Sequence, residues 1–351
     1  MKYLIFFLIG LLGAVSLAPS SHASGTADSS NVTGATHKNK ITLPISPRFQ
    51  WQANFGYCGE TALISAGLYY GQYVSQYDAR AYASKNQNQN ERASQLLIGI
   101  NENTAANVMH LNIEKWNNSG ADNFLAWVKK NIIQKHPVVI GIYQNMSLFE
   151  EVGDAEYDHI VPIIGIETNH SLTDYKYHAD DIIHFSDNGL IGDNTPTGSK
   201  YIYNFSFKEF QRTRTEADQR LAPSYSIAKL AKNYGFAVTG VKDTYNETVP
   251  VSLKTNINYE DPSILDGTSI RPASTPITLT ITVSKLKPNA IYYLYRYNNL
   301  EKVPNGSFNS NAINAIKTYT IKIESGSTFT TSEVISSDEI AVYRAVPAAA
   351  R

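Results

Sequence analysis

The chain has one cysteine, Cys58, inside the string Gln52-Ala53-Asn54-Phe55-Gly56-Tyr57-Cys58-Gly59-Glu60-Thr61. The pattern that follows is helical: Leu63, Ala66, Tyr70, Tyr73 or Val74, and Tyr77 recur at three- and four-residue spacing. A cysteine at a helix start meets unpaired N–H groups and the positive end of the helix dipole, and both favour thiolate over thiol. The thiolate is the reactive form. Gly56 and Gly59 are expected to let a substrate backbone come close. Gln52, six residues upstream, is placed to bring a side-chain amide to the same spot. With the Cys58 backbone N–H it would form an oxyanion hole. The same string also describes a turn before a helix with a buried, inert thiol.

A thiolate nucleophile needs a base, and the base needs a group to orient it. His110, His136, His170 and His178 lie in polar or helix-end positions and read as surface residues, and His184 lies mid-strand. His159 opens the most apolar strand of the chain, 159–167, after the polar Glu156-Tyr157-Asp158. A histidine at the mouth of a buried strand is well placed to point into a cleft. The next strand ends in Asp187-Asn188-Gly189. Antiparallel neighbours bring the start of one strand beside the end of the next. Either Asp187 or Asn188 can therefore reach the far imidazole nitrogen and hold its tautomer. Asp-Asn-Gly would equally make a plain turn.

This ordered set resembles the papain-like cysteine peptidase superfamily. The closer likeness is to its compact branch, the bacteriocin-leader-processing peptidases. Their motif is a Gln, then Tyr-Cys-Gly or Asp-Cys-Gly, then a His, a hydrophobic strand and an Asp. The resemblance covers residues 48–243. It implies a two-lobed α+β fold and a thiolate–imidazolium pair. It also implies amide cleavage or acyl transfer through a thioester. Cys58 would be the nucleophile, His159 the base, Asp187 (or Asn188) the orienting group, and Gln52 the oxyanion donor. Papain has Cys-Gly-Ser-Cys-Trp where this chain has Tyr57-Cys58-Gly59-Glu60, and a long polar insertion, Thr168 to Asp181, splits the strand pair. A long inhibitory pro-region and the phosphate-binding loop of a transporter are both missing from the sequence. The substrate of the leader-processing enzymes therefore does not carry over. The same residues would serve a transglutaminase-like or peptide-ligating acyl transferase, and an inactive peptidase fold would serve as an adhesion or interaction module.

The elements that must position these groups read as helices first, then mostly strands, which is α+β. Residues 122–135 form a helix with a capping-box-like start at Ser119 and Asp122 and a buried stripe of Phe124, Leu125, Val128 and Ile132. Strands are expected at 137–143, 159–167, 181–186 and 234–241, with Pro162 marking a bulge or a sheet edge. Residues 244–275, with Pro250, Pro262 and Pro272, read as a linker. Residues 276–347 read as a small all-β sandwich of immunoglobulin or fibronectin-III type, with strands at 277–283, 291–297, 318–323, 328–335 and 340–344. A linker predicts few contacts between the peptidase domain, 48–243, and this sandwich.

Residues 1–23 read as a secretory signal: Lys2, the apolar run Tyr3 to Leu17, then Ser21-His22-Ala23. Residues 24–47 read as a flexible segment. The expected location is secreted or extracytoplasmic, without a membrane span after cleavage. One cysteine permits no intrachain disulfide. A net charge of −1 argues against nucleic acid as a partner. The chain lacks His-Glu-X-X-His, a cysteine pair for zinc and an acidic calcium loop, so neither metal nor cofactor is expected. The expected partner is a peptide or protein substrate, with the sandwich available to a surface, a glycan or another protein.

Overall fold

The structure is a computed structural model that describes residues 37–48, 57–84, 95–144, 156–188, 201–219, 225–256 and 273–348. The expected signal at 1–23, Gln52 and Gly56 lie outside the described residues. Up to residue 241 the elements are β1 (Asn39–Thr42), α1 (Cys58–Tyr69), β2 (Gln72–Tyr73), α2 (Gln76–Ala83), α3 (Glu102–Val108), β3 (Leu111–Lys115), α4 (Ala121–Ile133), β4 (Val138–Gln144), β5 (His159–Thr168), β6 (Ile182–Ser186), β7 (Ile202–Ser206), β8 (Gln211–Arg212), α5 (Arg214–Asp218), β9 (Tyr225–Ala228) and β10 (Gly235–Val241). The class is α+β.

One sheet runs in the order β3-β10-β4-β5-β6-β7, with β1 on β5, β9 on β4 and β8 on β9. β5 is central: residues 159–163 pair with β4, residues 165–168 with β1, and β6 also runs antiparallel to it. The register with β6 shifts between Ile163 and Gly165, just past Pro162, so the bulge falls where the proline announced it. Its central strands, β4 and β5, are buried on both faces. Val139, Ile160, Phe236 and Val238 pack with residues of α1, α2 and α3. Val138, Ile140, Val161 and Ile163 pack with Phe124, Leu125, Val128 and Ile132 of α4. This is why β4 and β5 read as continuous apolar runs.

Three expectations need correction. Part of the segment taken as flexible is β1, paired with β5 from Asn39↔Thr168 to Thr42↔Gly165. The capping box at Ser119 and Asp122 does not form: Gly120 is the N-cap at φ 87° without a side-chain cap bond. The Ser119 carbonyl instead accepts from the Asn123 amide at 3.1 Å. The helix that starts at Cys58 stops at Tyr69, so Tyr73, Val74 and Tyr77 are not on it. Gly71, at φ 73°, ends it, with its N–H on the Leu68 carbonyl at 3.2 Å. A Cβ on Gly71 would stand 2.8 Å from the Val251 side chain.

The remaining strands are β11 (Val251–Thr255), β12 (Pro276–Val283), β13 (Ile291–Tyr297), β14 (Lys317–Lys322), β15 (Phe329–Ser336) and β16 (Ala341–Pro347). They form two antiparallel sheets, β11-β12-β15 and β14-β13-β16-β2, around a cluster that includes Leu253, Leu279, Ile281, Leu294 and Tyr343. β11 lies inside the stretch read as linker. β2, between α1 and α2, is the edge strand of the second sheet, through Ala341↔Tyr73 and Val342↔Gln72. Few shared contacts were expected at this junction; the structure shows a common core. Buried Arg344 donates to the Gln72 side-chain oxygen at 3.0 Å and to the Tyr70 carbonyl at 3.2 Å. His110, read as a surface residue, hydrogen-bonds Leu300 and Asn305 across the same junction.

Candidate active site

Cys58 is the first residue of α1, and the N-cap Tyr57 makes no side-chain cap bond. Its neighbours in sequence are held from behind. The Glu60 carboxylate is fully buried and takes the Arg80 Nε–H at 2.8 Å and the Leu96 N–H at 2.9 Å. Burial pushes Glu60 up, against the pull of Arg80. The Arg80 guanidinium lies 3.4 Å from the centre of the Tyr57 ring, which meets Tyr77 edge-on. Gly59 was expected to make room for substrate. Its structural demand is internal, because a Cβ there would run into the Leu96 carbonyl.

His159 is the first residue of β5, where it pairs with Ile142 of β4. The residue before it is pinned: the Asp158 carboxylate accepts from the Gln144 N–H at 2.8 Å and from Arg214 at 2.5 Å. Asp187 directly follows β6, and its N–H is held by the Tyr201 carbonyl at 2.8 Å. The strand register therefore brings the opening of β5 and the exit of β6 together. His159 Nε2 and Asp187 Oδ1 are 2.7 Å apart, and both side chains are buried.

With Nε2 on Asp187, Nδ1 is left for Cys58, which acts on the imidazole together with Asp187. Burial on its own drives the imidazole toward the neutral form. The hydrogen bonds and charges of Asp187 and Cys58 outweigh it and carry the His159 pKa up to about 10. The arrangement is a buried imidazole between a thiol and a carboxylate, suited to moving a proton at sulfur. Of the five residues singled out by sequence, Cys58, His159 and Asp187 come together. Asn188 contributes through its backbone N–H, which donates to Asp187 Oδ1 at 2.8 Å. Gln52 is outside the described residues.

Residues 42–213 match the Peptidase_C39 like family. The match takes in Cys58, His159 and Asp187, covers just under half of the chain, and supports a cysteine peptidase. No curated protein and no solved structure matches the chain.

Two features of the candidate site went unread in the sequence. The Glu60–Arg80 pair is one, since nothing in the spacing joins residues on separate helices. The other is Tyr225, at the start of the short strand β9. Its hydroxyl donates to Asp187 Oδ2 at 3.1 Å, and its ring lies 6.2 Å from the His159 ring. Burial, reinforced by Asp187, holds the phenol protonated and so keeps it a donor. Asp187 thus has one oxygen on His159 and the other on Tyr225. Tyr225→Phe should lower kcat on a peptide substrate about tenfold with little change in KM, the effect of about 1.4 kcal/mol from one hydrogen bond to a charged group. It should also move the pH profile upward, since a carboxylate with one donor fewer holds the imidazolium more strongly. An unchanged kcat and pH profile would leave Tyr225 as packing alone.

Proposed function

We propose that this chain is a secreted cysteine endopeptidase that cleaves peptide bonds through a thioester on Cys58. The observation that carries this reading is the buried His159 held between Cys58 and Asp187. The Cys58 sulfur attacks the scissile carbonyl carbon. The C–N bond breaks as His159 delivers its proton to the leaving amine. His159 then takes a proton from water, the hydroxide attacks the thioester carbon, and Cys58 is released. Asp187 orients the imidazole and balances its charge. Gln52 and the Cys58 backbone N–H receive the oxyanion in this reading.

The scaffold is read as papain-like and two-lobed. The helical layer that carries Cys58 forms one side of the cleft, and the sheet that carries His159 and Asp187 forms the other. The C-terminal sheets brace α1 through β2 and leave their outer faces to a surface, a glycan or a protein. Export rests on the signal-like residues 1–23. No helix among the described residues is long and apolar enough to cross a membrane.

The test is reaction of the full chain with an epoxide-type thiol-peptidase inhibitor, followed by mapping of the adduct. One adduct on Cys58 and matching loss of peptide cleavage are expected. Cleavage that survives full modification of Cys58 would reject the proposal. Incorporation of a labelled amine in place of hydrolysis would reassign the site to acyl transfer.

A further inference from the structure

Four of the chain's eight histidines, His37, His170, His178 and His184, contact the acids Glu167, Asp174 and Asp180 around the insertion between β5 and β6. His37 precedes β1 and its Nε2 lies 2.9 Å from the Asp180 carbonyl. His184 of β6 lies 3.1 Å from the Glu167 carboxylate. His170 and His178 sit in the insertion between β5 and β6, the stretch by which the sequence departs from the peptidase pattern. We propose that this insertion binds one divalent transition-metal ion of the zinc class through His170, Asp174 and His178.

A ring nitrogen of each histidine and a carboxylate oxygen of Asp174 all lie within 4.8 Å of one another. Two imidazoles and one carboxylate are a donor set for a borderline cation, with a fourth position left for water. Calcium and magnesium, which take oxygen-rich shells, fit it poorly. His178 Nε2 already faces Asp174 at 3.0 Å. The two imidazoles stack in parallel, with centroids 3.4 Å apart and planes 14° from parallel. A lone pair lies in its ring plane, so one ring must turn out of the stack for both to reach one ion. Both side chains are partly exposed, 37% for His170 and 24% for His178, which leaves room for the turn.

Two of the neighbouring acids already have an ammonium partner. Asp181 is buried against Lys129 at 2.7 Å. Glu167 has the Lys40 ammonium at 2.6 Å, which occupies the place of a cation between His37 and His184. Asp180 Oδ1 lies 3.8 Å from His170 Nε2, beyond hydrogen-bond range, and its Oδ2 accepts from the Asn169 amide at 3.1 Å. Residues 169–181 contain no helix or strand. They are tied down where they begin by Asn39, which donates to the His170 carbonyl at 2.8 Å, and where they end by Lys129 on Asp181. A metal on residues 170, 174 and 178 would fix the middle. Motif reading missed it because these ligands sit four residues apart in an irregular loop, a spacing without a standard signature.

The experiment uses the full chain carrying Cys58→Ala, so that the thiol cannot take the ion. The chain is stripped with a chelator and titrated calorimetrically with zinc chloride, and thermal unfolding is followed with and without zinc. One zinc per chain and a raised unfolding midpoint are expected. His178→Ala and the near-isosteric Asp174→Asn should each weaken binding by roughly 100-fold or more, beyond what loss of an outer partner does. They should also abolish the rise in midpoint. His184→Ala should bind zinc as the parent does. Absence of zinc binding by the parent, binding unchanged in His178→Ala and Asp174→Asn, or loss confined to His184→Ala would each overturn the assignment.

Discussion

Replacing His159 by alanine is expected to lower kcat/KM on peptide substrates by about 10⁴-fold or more, the scale seen when one member of a nucleophile–base unit is removed. The reason is the double role of this side chain. It takes the thiol proton, and it delivers a proton to the leaving amine; alanine does neither. Asp187 stays behind with the Asn188 N–H and the Tyr225 hydroxyl as donors. Those two bonds partly satisfy the carboxylate, so the variant should fold, with lower stability, because a buried charge has lost its partner. Circular dichroism separates loss of chemistry from loss of fold. Activity within tenfold of the parent in a folded His159→Ala variant would remove His159 from the mechanism.

The same residue sets a pH dependence with a definite sign. Its folded pKa, about 10, lies above the value of about 6.5 for a free histidine. The linked stability is therefore fully present below about pH 6.5 and is lost as pH rises through about 10. Unfolding of the parent by denaturant should show stability falling across that window, and His159→Ala should flatten this part of the profile. The alkaline limb of the rate should likewise lie near 10 and not near 6.5.

The legibility of the fold tracks the physical cause of each element. α4 and strands β4, β5, β6 and β10 show themselves through apolar periodicity, because burial against both layers demands it. β1, β3, β8 and β9 are short or half-exposed and carry little pattern. The pair His159–Asp187 was readable because consecutive antiparallel strands fix the relation between one strand's start and the next one's end. The choice between Asp187 and Asn188 was not, because it turns on which side chain points to the ring one residue beyond β6. Tyr225 and the Arg80–Glu60 pair were invisible for a further reason: their partners come from strands and helices joined only by the tertiary fold. The junction at β2 was misread because two residues of strand leave no periodicity, and Gln72-Tyr73 continued the helical spacing by chance.

That junction carries the last large effect. A chain ended before Lys242 is expected to be insoluble or unfolded, although the residues of the candidate site would all be present. Tyr73 would lose Ala341 of β16, and its hydroxyl would lose the Ser337 carbonyl, 2.7 Å away. The layer formed by α1, α2 and α3 would lose Tyr295, Tyr297, Leu300, Phe308, Val342 and Val346, which pack in the same cluster as Leu63, Ile64 and Ala79. Exposing one large apolar side chain costs about 1.5–3 kcal/mol. Uncovering even four or five of them matches a whole domain's stability of about 5–15 kcal/mol. The point variant Arg344→Ala tests the same junction inside the full chain. Burial holds the Arg344 guanidinium down to about 10, and its removal leaves Gln72 and the Tyr70 carbonyl without that donor. A loss of about 1–3 kcal/mol is expected from unsatisfied buried groups. A soluble, cooperatively melting fragment ending at Val241, with Arg344→Ala as stable as the parent, would mean that the C-terminal sheets are an appendage. In that case the helical layer behind Cys58 would have to close its core without them.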